Sequence, residues 1–186
     1  MQSRYGKYPY GQYTIIQGGD GGMEYPMATL VTGKRKFGSL VGVIIHEAMH
    51  TWYQMLMGSN ESLYAWMDEG FTSYASNVVR AYVFNANGSF PHDGSYKGYL
   101  YLVTSGAEEP MSTHADHFNT NFAYGQASYS KGAVFLGQIN YIVGEGVFDR
   151  GMLKYYDEWH FKHPNPNDFI RVMEKESGLE LDWYKE

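Results

Sequence analysis

A pair of histidines one helical turn apart constrains this chain more than any other feature of its sequence. His46 and His50 flank Glu47 in the pentapeptide HEAMH. Apolar residues recur around it at helical spacing, so we predict a helix over residues 39–57, ended by the stop signal GSN. Residues i and i+4 of a helix project from one face, about 6 Å apart along the axis. Both imidazoles can therefore reach one ion.

Glu47 points to a neighbouring helical face, where it can hold a water molecule beside such an ion. This arrangement is expected of a zinc-dependent hydrolase whose carboxylate is the general base. A catalytic zinc takes three protein ligands and keeps a fourth position for water. Glu69 lies on a second predicted helix, residues 64–86, which must return antiparallel to the first. We therefore predict one zinc ion bound by His46, His50 and Glu69.

Composition excludes several other classes of protein. The 186 residues suit a single domain, and a net charge of -6 without a basic stripe argues against nucleic-acid binding. Cysteine is absent, which excludes a disulfide framework, a thiolate metal site and a cysteine nucleophile. The longest apolar runs, such as residues 40–45, are too short for a membrane span. The first residues lack the apolar segment of a signal peptide, and both cytoplasm and export stay open.

The pattern along the chain predicts an α+β fold, mostly helical with a small N-terminal β-sheet. Strands are predicted over residues 13–16 and 27–32, as a hairpin or as the edge of a mixed sheet, with a chain break at the glycine pair 21–22. Residues 87–127 are rich in Gly, Ser, His and Asn and are interpreted as a long excursion or a functional loop. Further helices are predicted over residues 97–103, 128–143 and 148–160, with a last one from about Asn167 or Asp168 to just before Gly178.

Three segments resemble, in order, the motifs of the M1 zinc aminopeptidases, a gluzincin family. HEAMH, followed by Glu69 within DEGF, resembles the zinc-binding pattern. GGMEY at residues 21–25 resembles the G-x-M-E-N motif, and YSKGA at residues 129–133 resembles Y-x-K-G-A. The opening segment GKYPY also resembles the entry to this family's catalytic domain. The resemblance covers nearly the whole chain.

The resemblance implies a thermolysin-like zincin domain that removes amino acids from peptides with a free N-terminus. It assigns the same three zinc ligands and the same general base. Tyr129 would stabilise the oxyanion, Glu24 would bind the α-amino group, and Gly22 and Met23 would supply main-chain contacts to the peptide. Tyr25 stands where the family pattern has Asn, which changes the amino-binding corner without removing its carboxylate.

The resemblance also bears on domain organisation. We predict one metallopeptidase catalytic domain over residues 1–186, with a β-rich entry at 1–37 and a helical zinc-binding part at 38–186. Family members commonly carry an all-β domain before this region and a helical region after it. The chain is therefore interpreted as a truncated catalytic domain whose partners include the flanking domains of the same polypeptide.

Two alternative functions remain open at this stage. A thermolysin-like endopeptidase would use the same metal site, but Glu24 argues against it because a carboxylate that binds an ammonium selects free N-termini. A zinc- or peptide-binding fragment without turnover is the other alternative. Tyr124 is the nearest rival to Tyr129, which is one of 18 tyrosines.

Residues beside the predicted ligands have weaker assignments. Asp68 is interpreted as structural or as a group that orients a ligand. Thr72 or Ser73 is predicted to accept the free N–H of a ligand histidine. His114 and His117 lie three residues apart, which a solvated or substrate-lining loop explains better than a second metal site.

Overall fold

The computed structural model describes residues 1–19, 21–86 and 88–185, and its sheet has three strands. These are β1 (Thr14–Gln17), β2 (Gly22–Tyr25) and β3 (Ala28–Val31). Their spatial order is β1-β3-β2, with β1 parallel and β2 antiparallel to β3. The sheet is therefore mixed, and β2 is an edge strand with one side free of other strands.

The position of β2 corrects the prediction of a chain break at the glycine pair. Gly22 is the first residue of the strand and pairs with Val31. A Cβ atom at Gly22 would overlap the carboxylate of Glu47 and would lie 2.7 Å from Cγ2 of Val43. The missing side chain thus lets the strand lie directly against the next helix, which is the use of glycine that the sequence pattern did not reveal.

The rest of the chain is mostly helical, as predicted. Its α-helices are α1 (Gln2–Tyr5), α2 (Phe37–Met49), α3 (Ala65–Val83), α4 (Asp93–Ser105), α5 (Asn121–Gly125), α6 (Gly132–Val143), α7 (Glu145–Trp159), α8 (Pro166–Ser177) and α9 (Asp182–Lys185). A 3₁₀ turn covers Ala115–His117, and π-helical turns cover Thr51–Leu56 and Gln126–Lys131. Within the described ranges, no helix has the length and apolar character that a membrane crossing requires.

The predicted helix over residues 39–57 is wrong in its second half. The α-helix ends at Met49, and the following Thr51–Leu56 segment contains two non-helical residues. Tyr53 has φ −98° and ψ 110°, and Gln54 has φ 93°. Large side chains of this segment are buried in the core. Tertiary packing therefore overrides the helical pattern at a point that no glycine or proline marks.

Other helix boundaries also differ from the prediction, including the starts of α6 and α7, at Gly132 and Glu145. The last predicted helix, α8, begins at Pro166 because the Asn165 side chain accepts a hydrogen bond from the backbone N–H of Asn167. The carboxylate of Asp168 accepts in turn from the Asn165 N–H, at 2.9 Å. Within residues 87–127, α4 is longer than the single short helix predicted there, and α5 was not predicted. Asn87, the first residue of that segment, lies outside the described residues.

Helix α3 is the centre of the fold and packs against α2, α6 and the Gln126–Lys131 turn. Gly70 makes this packing close, since a Cβ atom there would lie 2.8 Å from Cα of Gly132 and 3.0 Å from the carbonyl oxygen of Ser128. The two backbones are therefore in direct contact, which only residues without side chains permit. The largest buried aromatic side chains around them are Tyr53, Trp66, Phe71, Phe148, Tyr155 and Phe169.

Candidate metal centre

Helices α2 and α3 bring the three predicted metal ligands together. Nε2 of His46 lies 3.2 Å from Nε2 of His50. Oε2 of Glu69 lies 3.2 Å from Nε2 of His46 and 3.4 Å from Nε2 of His50. The three donor atoms form a nearly equilateral triangle.

This triangle fits a tetrahedral zinc ion. Zinc binds histidine nitrogen at about 2.0–2.1 Å and carboxylate oxygen at about 2.0–2.2 Å, so neighbouring corners of its tetrahedron lie about 3.3–3.4 Å apart. The observed separations of 3.2–3.4 Å match that edge. Two neutral nitrogens and one carboxylate are also a donor set that catalytic zinc sites use, with the fourth corner left for solvent.

Asp68 fixes the orientation of one of these ligands. Its Oδ1 lies 2.6 Å from Nδ1 of His50, and both side chains are buried. Because Nδ1–H donates to this carboxylate, Nε2 is the nitrogen that faces the other two donor atoms and is available to a metal once its proton is lost. Thr72 Oγ1 is a second, longer contact to the same nitrogen, at 3.3 Å. The 2.6 Å contact to His50 supports the orienting role suggested for Asp68. Of the two hydroxyls predicted to contact a ligand histidine, that of Thr72 makes the contact.

The buried acids and His50 strongly perturb one another's protonation. Burial opposes the charged form of His50, but hydrogen bonds to Asp68 and Glu69 outweigh it and raise its pKa to about 11. Burial also opposes ionisation of Glu69, but hydrogen bonds with His46, His50 and Tyr129 lower its pKa to about 2. Burial raises the pKa of Asp68 to about 7, although the hydrogen bond to His50 acts to lower it. The pocket therefore favours a positive charge, whether carried by a proton or by a cation.

Glu47 lies beside the donor triangle and does not belong to it. It is buried, and its Oε2 makes no hydrogen bond within the described part of the chain. Burial raises the pKa of this carboxyl group, opposed by the nearby His46 and His50. A buried carboxylate oxygen without a donor is a strong acceptor for a water proton, which is the property that a general base needs.

Tyr129 approaches the site from the opposite side. Its hydroxyl donates a 2.6 Å hydrogen bond to Oε1 of Glu69, and its ring stacks on that of His46 at 5.9 Å. Burial and the Glu69 charge raise the pKa of Tyr129 well above its usual value, so the group is a proton donor at neutral pH. Its rival Tyr124 lines the same cleft.

The three residues of the GGMEY motif that were predicted to bind substrate lie on β2. Glu24 and Gly22 share the inner face of the strand, whereas Met23 and Tyr25 point outward and are exposed. An oxygen of Glu24 lies within 4.8 Å of a ring nitrogen of His50. Tyr25 therefore lies on the face of the strand opposite to that of Glu24.

All of these groups surround one cleft of about 380 Å³. The carboxylates among the residues that line it are Glu24, Glu47, Glu61, Asp68 and Glu69. The sequence analysis did not include Glu61, which belongs to the loop between the π-helical turn and α3. The only sequence signal for Glu61 was its position shortly before the helix that carries Glu69. This acidic cleft has the charge expected of a site for a cationic group.

Comparison with known proteins gives the family. The model of the peptidase family M1 domain matches residues 8–185. The chain belongs to this family. Aminopeptidase B of Mus musculus is 29% identical over 179 residues, and the match covers 89% of this chain and 28% of that protein. Leucine aminopeptidase 2 of Aspergillus fumigatus is 27% identical over 194 residues, with 96% and 30% covered. The chain thus spans less than a third of the length of these relatives.

Solved structures agree on the fold. An M1 zinc metallopeptidase from Deinococcus radiodurans, bound to a Tyr-Ser-Ala substrate, superposes with a TM-score of 0.77 at 17% identity, covering 96% of this chain and 39% of the other. Native yeast LTA4 hydrolase superposes with a TM-score of 0.75 at 21% identity, covering 98% and 32%. The predicted thermolysin-like architecture is therefore confirmed.

Proposed function

We propose that this chain binds one zinc ion through His46, His50 and Glu69 and hydrolyses the N-terminal peptide bond of peptides. The observation that carries the proposal is the donor triangle of 3.2–3.4 Å, whose edges match those of tetrahedral zinc. Similar proteins that are aminopeptidases, and the fold of zinc metallopeptidases, support it.

The chemistry divides among the residues of the cleft. A bound zinc ion would polarise the scissile carbonyl and lower the pKa of water. Glu47 accepts a proton as the water oxygen attacks the carbonyl carbon, and returns it to the nitrogen when the C–N bond breaks. The Tyr129 hydroxyl donates a hydrogen bond to the carbonyl oxygen as it becomes negative.

Glu24 gives the site its preference for chain ends. In this proposal its carboxylate, which lies on the inner face of an edge strand, pairs with the substrate's α-ammonium group. An acetylated terminus leaves this carboxylate unpaired, and an unpaired charge in a cleft is penalised. Gly22 and Met23 would contact the peptide main chain along the same strand edge. Flanking segments of the polypeptide are proposed to supply the remaining walls of the pocket.

Two measurements test this function. A peptide with a free N-terminus is compared with its N-acetylated twin, and Glu47→Gln is compared with the parent for both turnover and zinc content. We expect cleavage of the free peptide alone, and a Glu47→Gln protein that keeps zinc but loses at least about 100-fold in turnover. Preference for the acetylated peptide would instead identify an endopeptidase. A protein that binds one zinc ion per chain but cleaves neither peptide would support the alternative of a zinc- or peptide-binding fragment without turnover.

A further inference from the structure

One charged residue of the YSKGA motif has no role in the proposed reaction. Among the described residues, those that line the acidic cleft include Tyr129 but not Lys131. Lys131 instead lines a different cavity, of about 700 Å³, which contains none of the proposed metal ligands. Its ammonium group is therefore not placed to touch a substrate bound at those ligands. Any contribution of Lys131 to the reaction must pass through another residue.

Lys131 is the last residue of the π-helical turn Gln126–Lys131, which also carries Tyr129. The N–H of Gly132 reaches back five residues, to the carbonyl oxygen of Ala127, so the turn is one residue wider than an α-helical turn. Such single wide turns are rare and frequently lie at functional sites. Because successive residues of a helical turn project in different directions, Tyr129 and the two residues after it can each contact a different part of the protein.

The turn is packed between α3 and α4. On the α3 side, the Tyr129 hydroxyl donates its 2.6 Å hydrogen bond to Glu69. On the α4 side, a Cβ atom on Gly98 would overlap the Ser130 hydroxyl, so the helix backbone lies directly against the turn. The Tyr129 side chain is nevertheless 37% exposed. Packing alone therefore holds this ring only in part.

An ion pair ties the end of the turn to the segment that follows α4. Nζ of Lys131 lies 2.7 Å from Oε1 of Glu108 and 5.8 Å from the centre of the Tyr99 ring. The two charged side chains are only 24% and 32% exposed. The pair of Lys97 and Asp93 within α4, by contrast, has side chains that are 74% and 60% exposed. Solvent therefore screens the contact of Lys131 less than it screens an ordinary surface pair.

This ion pair restrains the direction in which Tyr129 points. Tyr129 and Lys131 lie two residues apart in one turn, so a rotation of the turn moves both side chains. A rotation that withdraws the hydroxyl from Glu69 would also pull Lys131 away from Glu108. It would therefore lose a charge-assisted hydrogen bond that is partly shielded from water.

We propose that Lys131, through its ion pair with Glu108, is a positioning residue that holds the Tyr129 hydroxyl beside Glu69. The catalytic use of that hydroxyl rests on the proposed function, whereas the anchoring of the turn can be measured without any reaction. A partly exposed ion pair contributes modestly, so its loss should slow the reaction less than removal of the hydroxyl itself.

The first test compares Lys131→Met with Lys97→Met, which removes the exposed cation of α4. We expect Lys131→Met to lower kcat about tenfold while KM and zinc content stay unchanged, because the hydroxyl acts on charge that develops only in the transition state. Lys97→Met should change none of the three quantities. Lys131→Arg keeps the positive charge and should restore most of the rate.

The same substitution in Tyr129→Phe protein tests whether Lys131 acts through the hydroxyl. Without the hydroxyl, Lys131→Met should change the residual kcat by less than about twofold. Glu108→Gln should lower kcat as Lys131→Met does, and the two together should lower it no further. Glu108→Gln also decides the question should Lys131→Met not fold. An unchanged kcat in both single variants, or a loss of the same size in the absence of the Tyr129 hydroxyl, would overturn the proposal.

Hydrogen exchange of the metal-free protein separates this proposal from the proposed function. Backbone amides of residues 126–132 should exchange at least about fivefold faster in Lys131→Met and Glu108→Gln than in the parent, and at the parental rate in Lys97→Met. A parent that cleaves no peptide but shows this difference would refute the peptidase and keep the anchored turn. Normal cleavage with equal exchange rates and an unchanged kcat would do the reverse.

Discussion

Nδ1 of His50 lies 2.6 Å from Oδ1 of Asp68, the residue that directly precedes the third proposed ligand in the chain. One turn of α3 therefore supplies Glu69, a proposed ligand, and also the carboxylate that orients His50 on α2. The contact is buried, so no solvent competes for the imidazole N–H. The geometry of the metal site thus depends on the packing of two helices as much as on the ligands themselves.

Replacement of Asp68 by Asn should weaken zinc binding by about 10–100-fold, because the His50 N–H then faces a neutral amide instead of a charged carboxylate. Competition with a chromophoric chelator measures this affinity. Thr72→Val removes only the longer 3.3 Å contact and should have a much smaller effect. An unchanged affinity in Asp68→Asn would show that packing alone orients the ring.

Zinc binding at pH 7 should release about one proton. The pKa of His50 is raised to about 11 in the metal-free protein, so its ring is protonated at neutral pH, and metal must displace that proton. Calorimetric titrations in buffers of different ionisation enthalpy give the number of protons released per zinc ion bound. Asp68→Asn removes one of the carboxylate charges that raise the pKa of His50, and should reduce the release. A heat of zinc binding that is the same in every buffer would contradict the prediction that His50 is protonated in the metal-free protein.

Glu47→Gln should stabilise the metal-free protein at neutral pH. Burial raises the folded-state pKa of Glu47, so the folded chain holds this proton more tightly than the unfolded chain. The carboxyl group therefore costs nothing below its unfolded pKa, destabilises the fold increasingly as the pH rises from that value to the raised folded-state pKa, and adds no further penalty above it. Thermal unfolding with chelator present should show a higher midpoint for the variant at pH 8 and equal midpoints at pH 4. A lower midpoint at pH 8 would mean that another contact of Glu47 dominates.

Tyr129→Phe should lower kcat by about 100- to 1,000-fold with little change in KM, because the hydroxyl acts on charge that develops only during the reaction. Zinc content must be measured as well, since the same hydroxyl donates to Glu69. Tyr124→Phe is the matched comparison in the same cleft. A larger loss of kcat in that variant would exchange the roles of the two tyrosines.

Gly70→Ala should destabilise the fold by about 1–3 kcal/mol, because its Cβ would lie 2.8 Å from the Gly132 backbone. Thermal unfolding of the metal-free protein measures the effect. Gly137→Ala, on α6 with Gly132, is the control, since its Cβ would lie 3.7 Å from the hydroxyl oxygen and 3.9 Å from Cε2 of Tyr96. That substitution should be neutral or slightly stabilising. Equal losses in both would show that the close contact at Gly70 is not the cause.

The structure brings the three proposed ligands together, whereas the local fold around them differs from the prediction. His46 and His50 share a helical face through the period of a single helix, which is a local property. Glu69 was chosen as the carboxylate on the returning helix, and the family pattern assigns the same residue. Gly22 was misread as a chain break because nothing near it in sequence reveals that the carboxylate of Glu47 occupies the place of its side chain. The end of α2 at Met49 was missed for the same reason. Long-range packing decides both, and sequence periodicity does not report it.

The bare contact between Gly70 and Gly132 has a consequence for how the site can fail. Glu69 directly precedes one glycine, and Tyr129 lies in the turn that leads into the other. Because no side chain lies between them, the two backbones are in direct contact and should move as one rigid unit. A substitution that separates the two backbones would displace the Glu69 carboxylate and the Tyr129 hydroxyl together. Molecules in which this contact is lost should therefore lose activity completely and not in part.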